Sequence, residues 1–151
     1  MTRKVIPMLL AALTMISLAS ANLVVTGAYY DPIQSETGGE AIQLENLGES
    51  AVNLADIVLQ TKSGRVNLPQ MTLAPGGALL IADTGWSGDA GLRDNLTWPG
   101  ADVETPLSLA NTASWVETRD RGTNDTIHRL EWNSTNKAPE GRLFTEMGSV
   151  A

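Results

Sequence analysis

From Leu23 onward no stretch of this sequence repeats its apolar residues at helical spacing. Gly, Pro, Asn and Asp cut the chain every few residues into short runs that alternate or are rich in β-branched side chains. An amphipathic helix needs several uninterrupted turns to build its stripe, whereas a strand of roughly 4–8 residues fits between two such cuts. The spacing therefore predicts an all-β fold.

Leu23–Tyr30 reads as the first strand, stopped by Asp31-Pro32 because proline has no N–H for a ladder. Gln34–Gly39 is a polar loop. Glu40–Glu45 alternates, with Ile42 and Leu44 on one face and Gln43 and Glu45 on the other. After a turn at Asn46–Ser50, Val52–Thr61 reads as a longer strand with an irregularity near Ala55-Asp56, and Ser63-Gly64 turns into a short strand at Arg65–Leu68. Pro75-Gly76-Gly77 fixes one φ and frees the next two before Ala78–Ala82, an unbroken apolar run suited to a strand buried on both faces. Leu107–Leu109, Ala113–Arg119, Thr126–Trp132 and Arg142–Thr145 complete the strands, with a hairpin connection at Asp120–Asp125. Ile42, Leu44, Leu79, Ile81, Leu130 and Trp132 are the expected core, each contributing roughly 1.5–3 kcal/mol on burial before entropy.

Between Asp83 and Pro106 the pattern fails. Gly85, Gly88, Gly91, Pro99, Gly100 and Pro106 interrupt it, and Trp86 and Trp98 lie inside it. A connection this long usually serves a function. Its two tryptophans are the candidate ligand-binding residues, because aromatic faces stack on the apolar faces of sugar rings; Trp115, in a strand, is a third such face. Asp83, Asp89, Asp94, Asp102 and Glu104 also fall in or beside this stretch. Calcium takes several such oxygens, which makes Asp83, Asp89 and Asp94 weak ligand candidates. The tight Asp-x-Asp-x-Asp-Gly spacing is missing, however, and Arg93 interrupts them. A solvated acidic surface is the plainer reading, and no cofactor is expected.

Composition narrows the chemistry. There is no Cys, so no disulfide framework, thiol catalysis or zinc ribbon. The one histidine, His128, shares a strand face with Leu130 and Trp132, and no Gly-x-Ser-x-Gly elbow exists for it to serve. No enzyme is expected. A formal charge of −7 opposes direct nucleic-acid binding, which needs cations to displace counterions.

The N-terminus has a separate role. Arg3 and Lys4 precede a nearly unbroken apolar run, Val5–Ala19, and Ala19-Ser20-Ala21 supplies small residues where a signal peptidase reads, with Ser17-Leu18-Ala19 as a second choice. The run falls short of the roughly 20 residues that span a bilayer. Residues 1–21 are therefore expected to be a cleaved signal peptide, the alternative being a retained anchor. Cleavage takes the charge from −7 to −9 by removing the two cations, and leaves no further apolar run to cross a membrane. Asn95-Leu96-Thr97, Asn124-Asp125-Thr126 and Asn133-Ser134-Thr135 are glycosylation sequons, suited to an exported chain.

Four pieces in register carry a family resemblance. They are Tyr29-Tyr30-Asp31-Pro32, the strand Glu40-Ala41-Ile42-Gln43-Leu44-Glu45-Asn46, the run Leu73-Ala74-Pro75-Gly76-Gly77 through Ala82, and a closing set made of Leu107–Asn111 through Val116, Leu130-Glu131-Trp132 and Pro139-Glu140-Gly141. Together they resemble the lamin-tail domain of exported bacterial and archaeal proteins, over about Leu23–Leu143. Ile57 replaces the family's usual Trp, Leu47 a Pro, and Ala113-Ser114 a Gly-Asp turn. The resemblance implies an immunoglobulin-like β-sandwich of about seven to nine strands over residues 22–146, with 147–151 as a tail. It implies binding and scaffolding rather than catalysis, and it transfers no active site. The expected function is an exported, non-catalytic interaction module, secreted or at the cell surface, whose partner is a protein, a polysaccharide or the envelope. The alternative is a truncated accessory domain of a larger exported nuclease- or phospholipase-like protein.

Overall fold

The computed structural model describes residues 22–32, 37–86, 100–138, 140, 143–145 and 148–149. The expected signal peptide, residues 1–21, lies outside them, as do Asp89, Asp94, Asn95 and Trp98. The described regular structure is β apart from one 3-10 turn, Leu54–Asp56. The strands are β1 Leu23–Tyr29, β2 Ala41–Asn46, β3 Val52–Asn53, β4 Ile57–Thr61, β5 Gly64–Val66, β6 Thr72–Leu73, β7 Ala78–Ala82, β8 Val103–Glu104, β9 Ser114–Asp120, β10 Thr126–Trp132, β11 Phe144–Thr145 and β12 Gly148–Ser149. They form a six-stranded sheet in the order β12-β11-β1-β2-β7-β8, a four-stranded sheet β10-β9-β4-β5, and the pair β3-β6. Every pairing is antiparallel except β7 with β8.

The twelve strands among the described residues exceed the seven to nine expected because β3, β6, β8, β11 and β12 hold two residues each, too few to show alternation. β8 falls inside the stretch read as irregular, and β12 inside the expected tail. Val52–Thr61 is not one strand. Asn53 accepts the Ala55 N–H, the chain makes its 3-10 turn, and β3 and β4 join different sheets. Leu107–Leu109 forms no strand; it belongs to the segment that carries the chain from β8 to β9.

All six expected core residues are buried in one apolar cluster fed by all three sheets. At one end Tyr30 and Trp132 stack, with centroids 4.3 Å apart and planes 3° from parallel, and Phe144 closes on both. The Trp132 indole N–H donates to Ala110 O at 2.8 Å, and the Tyr30 hydroxyl accepts the Ala138 N–H at 2.6 Å. Burial of the phenol pushes the Tyr30 pKa up to about 12, with a smaller push from Asp31, against the lowering effect of that backbone bond.

Strand β1 of the larger sheet lies against β9 and β10 of the smaller one. Two side chains tie that seam: His128 Nδ1 accepts the Val25 N–H at 3.1 Å, and Thr118 donates its hydroxyl to Leu23 O at 2.7 Å. Both strands shift register there, β1 between Val25 and Gly27 and β10 between Thr126 and His128. Such irregularities re-aim side chains, here with His128 turned onto β1.

Asn46 organises the opposite end. Its side chain is buried and donates to Ser50 O and Leu73 O while accepting the Gly48 N–H. Its backbone bonds Gly76 and Gly77. Gly76 has φ +72°, as a free turn requires, but Gly77 is required for another reason: a Cβ there would stand 2.9 Å from Ala74 O.

Candidate functional site

The irregular stretch from Asp83 to Pro106 leaves the end of β7 and returns beside it. Its described parts show how the two ends are held. Asp83 is nearly buried, and its oxygens face backbone donors: Oδ1 accepts from Thr84 at 2.8 Å and Leu107 at 3.0 Å, and Oδ2 from Gly38 at 2.8 Å. Its own N–H donates to Glu40 O. One side chain thus joins the segments at 37–40, 83–86 and 105–109.

The neighbouring acids act in the same way. The buried Glu40 accepts the Leu109 N–H on both carboxylate oxygens, at 3.2 and 3.0 Å. Asp102 accepts the Leu80 N–H at 2.7 Å and returns its own N–H to Leu80 O. Glu104 accepts the Gly85 N–H at 3.1 Å, which brings the outgoing and returning chain together. Thr105 N–H bonds Ala82 O. Gly38 completes the root with φ +75°; a Cβ there would lie 2.6 Å from Gly85 O. A polar cleft of about 460 Å³ opens beside this root, lined by Thr37, Glu40, Asp83, Leu107, Ser108 and Asn111 among others.

Of the expected site residues, Trp86 stands half-buried on the outer face of the six-stranded sheet. It meets Tyr29 edge-on, with centroids 6.4 Å apart, in a small apolar cluster with Leu80 and Leu143. This contact anchors the loop where it leaves the sheet. Trp98, its expected companion, is outside the described residues. Trp115 has one face covered by the Arg129 guanidinium, 4.4 Å from the ring centre, and Arg129 also bonds Glu131. His128 serves the β1–β10 seam and does not line the cleft.

Asp83, the one calcium candidate inside the described residues, directs both oxygens at backbone amides. Among the described residues no group of three or more His, Cys, Asp or Glu side chains is placed to hold a metal ion. Also among them, no helix is long and apolar enough to cross a membrane. Asn124 and Asn133 are exposed, and Asn95 is outside the described residues.

The residues that sequence reading passed over are Gly38 and Glu40. Gly38 sits in a Thr-Gly-Gly turn, a visible sign of special backbone, but its partner lies 47 positions away at Gly85. Nothing local to Glu40 points to Leu109. No protein-family model matches the sequence, and no curated protein matches it.

Proposed function

We propose that this chain is an exported, non-catalytic interaction module of the cell surface, and that it recognises its partner through the Asp83–Pro106 stretch. The observation that carries the reading is the closed root of that stretch, where the Gly85 N–H meets the Glu104 carboxylate. A long excursion whose ends are clamped to a sheet can vary without disturbing the core, and recognition tends to reside on such elements. The carboxylates beside the cleft serve backbone amides, which suits a scaffold. We further read the framework as an immunoglobulin-like sandwich of lamin-tail type. The shared core of the two larger sheets supports this, as do the buried Asn46 and the Gly76-Gly77 turn, which lie in two of the four resembling pieces. The partner is a protein or polysaccharide, since the acidic chain disfavours anionic polymers such as nucleic acid.

The test replaces residues 87–99 with a short Gly-Ser linker and compares it with the unaltered chain on a glycan array and in envelope pull-downs. Loop-closure entropy changes slowly with length, so the melting temperature should stay within about 5 °C. Binding should be lost. Binding that survives the replacement refutes the assignment of recognition to this stretch.

A further inference from the structure

The two sequons inside the described residues, at Asn124 and Asn133, differ in geometry. Asn133 follows β10 and opens an exposed run, residues 133–137. Its side-chain oxygen accepts three hydrogen bonds: from the Thr135 N–H at 2.9 Å, the Thr135 hydroxyl at 2.7 Å and the Asn136 N–H at 3.0 Å. The Asn133 N–H closes the same turn on Asn136 O at 3.0 Å. These bonds lie within four consecutive residues, so the turn can form in the chain before the sheets assemble.

The arrangement bears on the chemistry of the amide. A carboxamide nitrogen is a poor nucleophile because its lone pair is delocalised onto oxygen. Three donors on that oxygen stabilise the charge it gains as the nitrogen gives up a proton, and one of them is the hydroxyl of the residue that completes the sequon. At Asn124 the local structure differs. The residue has φ +65° in a hairpin connection held by the Asp120 carboxylate, and its partner threonine, Thr126, is drawn into β10, where β9 pairs it with Arg119.

We propose that Asn133 is a glycan-acceptor site of this chain and is preferred over Asn124, because the Thr135 hydroxyl and two backbone amides engage its side-chain oxygen in an exposed, locally closed turn. The inference rests on the exported reading above. In the step itself, Asn133 Nδ2 attacks C1 of a diphosphate-activated sugar. The N–C1 bond forms, the C1–O bond to diphosphate breaks with the electron pair leaving on diphosphate, and the Nδ2 proton passes to a base of the transferase.

To test it, the full chain is expressed in a glycosylating secretory host in two forms, one with its own N-terminus alone and one with the host's signal placed ahead. Secretion of the first form reports on the exported reading. Occupancy on the second tests the site whatever the first shows. Peptide mapping after enzymatic deglycosylation in heavy-oxygen water should find higher occupancy at Asn133 than at Asn124. Asn133→Gln and Thr135→Ala should each lose the Asn133 glycan, and Thr135→Ser should keep it. An unmodified Asn133, or occupancy at Asn124 equal to or above it, overturns the proposal.

Discussion

Trp132→Ala removes the side chain on which one end of the core is built. Trp132 is 1% exposed, so nearly its whole surface leaves water on folding. A buried aromatic of this kind removes at most about 250 Å² from water, or about 6 kcal/mol at 25 cal/mol per Å² as an upper bound. Two specific contacts accompany that burial. The parallel stack on Tyr30 at 4.3 Å belongs to a class worth about 0.5–1.5 kcal/mol. The indole bond to Ala110 O at 2.8 Å leaves an acceptor without its donor when cut, at about 1–3 kcal/mol. Partial collapse of Tyr30 and Phe144 into the space recovers part of the loss, so the expected cost is about 3–5 kcal/mol. Urea unfolding followed by circular dichroism measures it, and Trp132→Phe separates its parts. The phenyl ring keeps the stack and loses the N–H, so it should cost no more than about half of the alanine value. An alanine cost below about 1 kcal/mol would refute the reasoning, because a collapsed cavity of this size does not come so cheaply.

Asn46→Ala should destabilise by about 2–4 kcal/mol in the same assay, since it leaves Ser50 O, Leu73 O and the Gly48 N–H without a partner; a cost near zero would mean that the two turns hold without it. Tyr30 has its folded pKa raised to about 12 from 10.0, so the stability linked to its neutral phenol is intact below pH 10 and is lost as pH rises through about 12. Tyr30→Phe should flatten stability over that alkaline window, and an unchanged slope in denaturation curves would exclude the buried phenol as its source. Asp120 has its pKa held below the ordinary carboxylate value, first by the Thr123 N–H, against an opposing desolvation, and further by the Gly122 N–H and the Thr123 hydroxyl. Its contribution to the hairpin is therefore present above the unfolded carboxylate pKa and is lost as pH falls through the lowered folded value. The amide resonances of Gly122 and Thr123 should move with a midpoint below 3.8, and a midpoint at or above 3.8 would contradict the hydrogen-bonded carboxylate.

What the sequence made legible were features with local causes. Alternation in Glu40–Glu45 placed Ile42 and Leu44 inward, and Thr126–Trp132 has the bounds its pattern predicts. The local part of the turn chemistry was readable, because Asn46 acts on Gly48 and Ser50 and Gly77 on Ala74; the bonds that join Asn46 to Leu73, Gly76 and Gly77 across the two turns had no such local cause. The change of sheet at Leu54–Asp56 left only a weak trace, an irregularity, because no local signal says which partner a strand will find next. β8 left none, since two residues in parallel register with Ile81 and Ala82 follow from where the returning chain is clamped. His128 lies in β10, as its pattern predicts. Its bond to Val25, 103 positions away, follows from two register shifts that composition does not encode.

The acidic residues between Asp83 and Glu104 show why a charge count is a weak guide to chemistry. Counted along the chain, they suggest either a cation site or a solvated surface. In the described fold Asp83, Asp102 and Glu104, with Glu40 beside them, each accept at least one backbone N–H. The physical cause is the irregularity of the stretch itself. Chain outside a ladder still has amide donors to satisfy, and a carboxylate is the strongest acceptor available to them; Asp102 does the same for Leu80 of β7, next to the Ile81 and Ala82 positions that β8 pairs. An aspartate at the end of a buried strand, followed by Thr and Gly, is thus better read as a backbone clamp than as a ligand. The distinction also governs how electrostatic exclusion of anionic partners can be tested. Neutralising Asp83 or Glu40 would change fold and charge together, whereas Glu49 and Asp56 are exposed and their side chains can be altered without uncapping the root. If the acidity acts through the general field of the chain, removing those two charges should weaken the repulsion of polyanions while the melting curve stays in place. If only the clamped carboxylates matter, the same substitutions should leave it unchanged.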